Sequence, residues 1–163
     1  MLFRSVEKFG KTAELLGELP KESPFFYLME TARNLCLVLE KKADLGREIR
    51  LAYSQEDKET LQEIANIKIP VLLQRLQDFY QSFRTQWNLE NKSFGFEVQT
   101  VRIGGLLQRL KDVQEILNAY LREEIPGIAE LNEPQKAFHY FEQNEIRSLN
   151  YNLWTDIVSP SKI

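Results

Sequence analysis

Apolar residues recur along this chain at spacings of three and four from the N-terminus to about residue 121, and that period predicts helix nearly everywhere. Phe3, Val6, Phe9, Ala13, Leu15 and Leu16 predict one or two short helices. Gly17 to Pro24 interrupts them, and Ser23-Pro24 reads as an N-cap followed by proline in a first helical turn. A long helix is expected from Phe25 to about Tyr53. Its inward stripe is Leu28, Ala32, Leu35 and Leu39, continued by Ile49 and Tyr53, and Ala43-Asp44-Leu45-Gly46 is where it would bend. Ser54 with Asp57 resembles a capping box that opens the next helix. Pro70 cannot donate a backbone hydrogen bond, which predicts a break near residues 66–69. The following stripe, Leu72, Leu76, Phe79, Tyr80, Phe83 and Trp87, is heavily aromatic and is expected to face a core.

Asn88 to Gly95 reads as a loop. A second long helix then carries Ile103, Leu106, Leu107, Leu110, Val113, Leu117, Tyr120 and Leu121, ends near Arg122, and is closed by Ile125-Pro126-Gly127. Two adjacent glycines, Gly104-Gly105, fall inside this pattern. Each costs roughly 1 kcal/mol against alanine in a helix, so the pair points to a close backbone approach or to a helix start with unusual dihedrals. Asn132, Pro134 and Gln135 resemble a cap and first turn carrying Ala137, Phe138 and Phe141 inward. The tail from Leu149 to Val158 alternates in character and reads as extended or as a short docked helix. The expected fold is all-α, an antiparallel bundle of about five to six helices with long central ones. It divides into an N-terminal helical segment and connector at 1–24 and a helical bundle domain at 25–163.

Composition narrows the function classes. The 163 residues suit one domain, 43% are apolar and 28% charged, and the formal net charge is -3. Basic residues are scattered among acids with no run longer than Lys41-Lys42, which argues against nucleic acid as the partner. Apolar stretches such as Leu35–Leu39 fall far short of the roughly 20 residues a bilayer needs, so no membrane partner is expected. Arg4, Glu7 and Lys8 interrupt any leader-like pattern, and the lone Cys36 fits a reducing compartment; a cytoplasmic location is expected.

Candidate chemistry is sparse. His139 is the only histidine, and Cys36 sits in an apolar run where a free thiol is usually a small buried hydrophobe. These two residues cannot make a zinc site, and the paired Glu-x-x-His motifs of a di-iron bundle are absent, so no metal or cofactor is expected. Glu123 with Glu124, Glu142 with Glu145, and Glu56 with Asp57 are candidate carboxylate pairs. All lie at expected helix ends or on polar faces, where solvation or a helix N-terminus accounts for them. Gly104-Gly105 lacks the lysine and further glycines of a phosphate loop. Arg102 stands just before the glycines, near Phe94, Gly95 and Phe96. It reads either as an exposed arginine at a helix start or as the partner of a carboxylate across an interface.

Three blocks together resemble the C-terminal helical region of bacterial glycoside hydrolase family 20 enzymes, the β-N-acetylhexosaminidases. The first is Ala32-Arg33-Asn34 leading to Lys42-Ala43-Asp44-Leu45-Gly46 and Arg50-Leu51-Ala52-Tyr53. The second is Trp87 with Asn91-Lys92-Ser93-Phe94-Gly95-Phe96-Glu97. The third is Arg102-Ile103-Gly104-Gly105-Leu106 with Arg109-Leu110 and Glu130-Leu131, and the closing Tyr151-Asn152-Leu153-Trp154 and Ile157-Val158-Ser159 fit as well. The likeness runs from about Phe25 to the end. The chain departs from the pattern at Phe96, where tryptophan is expected, at Thr100, where an acid is expected, and at Ile103, where tyrosine is expected. Those changes bear on any polar contact at residue 100 and keep packing roles for Phe96 and Ile103.

The resemblance implies a helical domain that follows a catalytic α/β barrel, with Met1–Pro20 as the last barrel-associated helix and a connector. In such enzymes an adjacent Asp-Glu pair on the barrel acts with the substrate's own acetamido group. This chain contains no Asp-Glu dipeptide and no alternating strand and helix pattern. By itself it is therefore expected to be inactive, with no catalytic, cofactor or metal residues. Its implied partners are the parent's catalytic barrel and a second copy in a homodimer, met through Trp87, Phe94, Phe96, Arg102, Gly104, Gly105 and Trp154. The alternatives are a free-standing helical protein–protein interaction domain and a small enzyme built on the carboxylates above.

Overall fold

The computed structural model describes residues 3–92 and 94–133, with side chains described from residue 6 onward. Among these residues the chain is helical, with no strand. The helices are α1 (Phe3–Gly17), α2 (Phe26–Lys42), α3 (Leu45–Ser54), α4 (Lys58–Glu63), a π-helical turn (Ile64–Lys68), α5 (Ile69–Glu90), α6 (Phe96–Leu121) and the short α7 (Ala129–Asn132). The all-α expectation holds, and the first segment is one helix rather than two.

α2 lies between two neighbours, α1 on one flank and α5 on the other, and α5 in turn packs on α6. The contacts run antiparallel. Gly10 faces Glu40 and Gly17 faces Arg33 across the first pair. Asn34 Nδ2 donates to Ser82 Oγ at 3.1 Å, and Tyr27 Oη donates to Glu90 at 3.2 Å, across the second. Tyr80 and Thr100 hydroxyls meet at 3.0 Å across the third.

Four sequence expectations are corrected here. The long helix expected from Phe25 to Tyr53 is two helices, because the chain turns at Ala43 and Asp44 before Glu48 N–H donates to Asp44 O to start α3. The inward line of α2 is Thr31 and Val38, which are buried, whereas Ala32 is exposed, Leu35 is 40% exposed, and Leu28 and Leu39 are half-buried. The apolar stripe sits between the two flanks that α1 and α5 occupy, and the polar residues facing α5 are satisfied locally: Thr31 donates to Tyr27 O at 3.0 Å.

The cap after α3 is Asp57 rather than Ser54. Glu56 adopts φ 55° to reverse the chain. Asp57 then accepts from Thr60 N–H at 3.0 Å and from the Thr60 hydroxyl at 2.6 Å. Ser54 stays within α3 and donates to Leu51 O. Finally, the chain does not break before Pro70. A π-helical turn shifts the hydrogen-bond register ahead of the proline, at the start of α5, where its missing N–H is tolerated.

The main core lies at one end. Leu61, Ile64, Ala65, Ile69 and Leu72 have no exposed surface, and Leu45, Ile49, Ala52, Leu110, Leu117 and Ile128 pack with them. Tyr53 pins the segment after α6 to this end. Its hydroxyl accepts from Ile128 N–H at 3.0 Å and donates to Asn132 Oδ1 at 2.9 Å. Asn132, expected to cap a following helix, is instead the last residue of the short α7, and the rest of that expected helix, from Pro134 through Phe141, and the tail from Leu149 to Val158 lie outside the described residues.

Candidate functional site

Of the residues singled out by sequence, Trp87, Phe94 and Phe96 meet at the α5–α6 turn. Helical spacing puts Phe79, Phe83 and Trp87 along α5. Phe79 stacks on Phe83 at 5.6 Å between ring centroids, and Trp87 meets Phe83 edge-on at 6.2 Å. Phe96, at the start of α6, is packed against Tyr80, Phe83 and Trp87 and is only 8% exposed. The aromatic stripe thus faces one residue of α6 more than a core: Leu72 and Leu76 are buried, while Phe79, Tyr80, Phe83 and Trp87 are half-buried.

The turn itself is built around Gly95. Its φ of +97° is a left-handed conformation that favours glycine, and a Cβ there would stand 3.4 Å from the Trp87 ring. The Trp87 indole N–H donates to Lys92 O at 3.0 Å, and Gly95 N–H donates to the Glu97 carboxylate at 2.8 Å, closing the turn on both sides. Phe94 is thereby held outward and is 87% exposed.

Along α6 the residues separate by phase. Ile103 is buried at 9% with Leu110 and Leu117. Arg102 and Gly104 are on the exposed side, and Gly105 is half-buried. Gly104 lies well inside α6, so it is not a helix start, and nothing in the described residues comes within 4 Å of where its Cβ would be. Thr100 makes a polar contact, but within the chain, to Tyr80 and to Phe96 O. Trp154 lies outside the described residues. Sequence reasoning passed over Val98, Val101 and Leu89, which are 45%, 51% and 64% exposed. The signal was present: the two valines are out of phase with the Ile103–Leu106–Leu110 stripe.

The carboxylates show structural engagements instead of catalytic ones. Glu123 pairs with Lys58 at 2.8 Å, and that partner lowers its pKa. Arg122 grips Glu124 through two hydrogen bonds and lowers its pKa as well. Thr60 lowers the pKa of Asp57 through its hydroxyl and N–H. Carboxylates held ionised in this way are poor proton donors to a leaving group. Glu142, Glu145 and His139 lie outside the described residues. Burial raises the Cys36 thiol pKa, which keeps it protonated. Among the described residues no group of three or more His, Cys, Asp or Glu side chains is gathered as metal ligands would be.

Two further concavities exist. An apolar cleft between α3 and α6 is lined by Ile49, Val113, Ile116, Leu117, Ile128 and Leu131, with Arg50 and Glu130 at its rim. A polar groove between α2 and α5 is lined by Glu30, Arg33, Asn34, Asp78, Gln81 and Ser82. No helix among the described residues is long and apolar enough to cross a membrane.

A family model described as Glycoside Hydrolase 20C C-terminal domain matches residues 4–150. No curated protein matches the chain in sequence.

Proposed function

The chain belongs to the glycoside hydrolase 20C C-terminal domain family, and from that premise we propose that it is the non-catalytic C-terminal accessory domain of a β-N-acetylhexosaminidase-like enzyme. Residues 1–24 are its helical connector and 25–163 its bundle. It braces the parent's catalytic barrel, with a homodimer contact as the second use of the same surface, and it works in the cytoplasm. Substrate hydrolysis belongs to the barrel.

The observation that carries this reading is the face around the α5–α6 turn. Phe94 in the turn and Val98 and Val101 in the first turns of α6 expose apolar side chains, and Gly104 farther along α6 has open space where a Cβ would stand. Clustered exposed apolar side chains in a soluble helical domain mark a contact surface. Glycine in such a face lets a second backbone approach closely. Arg102 adds a guanidinium with no ion pair among the described residues, suited to a carboxylate on the barrel. Trp87 and Phe96 support the contact from beneath by fixing the turn, and Trp154 is proposed to join it.

Light scattering and hydrophobic-dye binding of the isolated chain test this. Dye binding or self-association that disappears when the chain is joined to its catalytic barrel is expected. A monodisperse monomer that binds no dye counts against the proposal and favours a free-standing interaction domain with a polar partner. Activity of the isolated chain on a chromogenic N-acetylglucosaminide would overturn it.

A further inference from the structure

The cleft between α3 and α6 takes no part in the α5–α6 contact. Successive residues turn by about 100° around a helix, so Gly46, Ile49 and Arg50 share one face of α3. That face lines a cavity with Val113, Ile116 and Leu117 of α6 and with Ile128 and Leu131 before and within α7. Ile49, Leu117 and Ile128 are buried, and Val113, Ile116 and Leu131 are half-buried, which leaves apolar surface at the opening. The cavity measures about 220 Å³, more than the roughly 150 Å³ of an apolar cavity that accepts benzene. Arg50 gives this space its polarity. It is half-buried, and its Nη1 donates to Leu131 O at 3.4 Å. That is its one hydrogen bond among the described residues, and no carboxylate there pairs with it. Glu130 stands at the same rim, but Arg109 holds both of its oxygens at 2.7 Å. A guanidinium offers five N–H donors in a fork that matches an oxyanion, and a charge partly removed from water is costly until it is paired. A second depression of about 340 Å³, lined also by Arg47, Leu51 and Ser54, shares Gly46 and Arg50 with the first. Nothing in the described residues comes within 4 Å of where a Gly46 Cβ would stand, so no side chain at that position divides the two.

We propose that this cleft binds a small monocarboxylate with an apolar body, a single ring or a short branched chain. The apolar part lies against Ile49, Val113 and Ile116, and the carboxylate sits on the Arg50 guanidinium. One unpaired guanidinium balances one negative charge, and the apolar space is sized for one ring. The site is separate from the face proposed to meet the barrel, since Val98 and Ile116 lie about 27 Å apart along α6. It stands independently of the accessory-domain reading. A side chain of a protein partner is the competing occupant.

Methyl NMR titration of the full chain with 3-phenylpropionate tests this. Saturable shifts at Ile49, Val113 and Ile116 are expected, with a Kd of about 1 mM or tighter. The neutral 3-phenylpropanamide and ring-free acetate should each bind at least about tenfold more weakly. Arg50→Gln should weaken 3-phenylpropionate at least about tenfold. Gly46→Leu, whose side chain enters open space, should block it while the methyl signals of Leu61, Ile64 and Leu72 stay in place. Absence of saturable shifts overturns the proposal. So does equal affinity for the amide, and so does undiminished binding in either variant. Shifts that vanish once the chain is joined to its barrel assign the cleft to a side chain of the barrel and overturn the proposal as well.

Discussion

Around residues 61–72 one turn of helix after another presents side chains with no exposure at all, whereas around residues 87–101 Leu89, Phe94, Val98 and Val101 on α5, the turn and α6 are all substantially exposed. Both regions carry several large apolar residues. They differ in how many further elements meet there. At the first end α3, α4 and the π-helical turn close over α5 and α6, and Tyr53 ties down the chain beyond α6. At the other, α6 has only α5 as a partner, and α1 reaches no further than α2. Burying an apolar side chain fully is worth about 1.5–3 kcal/mol, and a helix with one neighbour can bury only one flank. The closed end is therefore the stability reservoir, and the open end is the part available for contact.

The largest expected effect sharpens that contrast. Leu61→Ala or Ile64→Ala should cost about 3 kcal/mol by chemical denaturation, as for other fully buried aliphatic truncations, while Leu89→Ala, at an exposed position, should stay within about 0.5 kcal/mol. Equal losses at both sites would erase the distinction. Next comes Gly95→Ala, which must adopt φ +97° beside the Trp87 ring; a loss of about 1–2 kcal/mol is expected in the same assay, together with a shift in tryptophan fluorescence. Gly104→Ala has the opposite sign. Its Cβ meets open space in a helix interior, so the isolated chain should gain about 0.5–1 kcal/mol. Joined to the barrel, the same substitution should weaken association.

Acidification probes the ion pairs of Glu40, Glu123 and Glu124 and the cap at Asp57. Burial works against the Glu40 carboxylate, yet Arg75 and Lys41 beside it hold its pKa below the ordinary value. Asp57, Glu123 and Glu124 are lowered too. A folded-state pKa below the unfolded one means that the unfolded chain binds protons first. The contribution of these groups is complete above the unfolded carboxylate pKa of about 4 and is lost as pH falls through the folded values. The denaturation midpoint should thus be flat from neutral pH down to about 5 and decline below it, with Arg75→Leu flattening the decline attributable to Glu40. The smallest effect is expected from Phe94→Ser, at a side chain that is 87% exposed: stability should change by less than about 0.5 kcal/mol, and dye binding should drop.

Much of this was legible beforehand. The period of the apolar positions marks the helices, the aromatic stripe marks the turn that Phe96 completes, and the blocks around Lys42–Tyr53, Trp87–Glu97 and Arg102–Leu110 carry the family resemblance. Other features were misplaced for physical reasons. Ser54 and Asp57 are both plausible caps by type, and only the reversal at Glu56 selects Asp57. A proline warns of a disturbed hydrogen-bond ladder without saying whether the chain ends or rewinds, and here it rewinds through a π-helical turn.

The sequence by itself determined that the described residues are helical, where most of the apolar stripes lie, and which family the chain resembles. Tertiary structure alone decided which flank of α2 is buried, that Gly104 faces open space, and that Phe94 at the α5–α6 turn stands outward while Phe96 beside it is buried. The reason is that apolar spacing records the phase of a helix about its own axis but not the number or direction of its neighbours. Leu35 and Val38 are equally apolar in the sequence; Val38 is buried and Leu35 exposed because α1 and α5 occupy two flanks of α2 and Leu35 lies on neither.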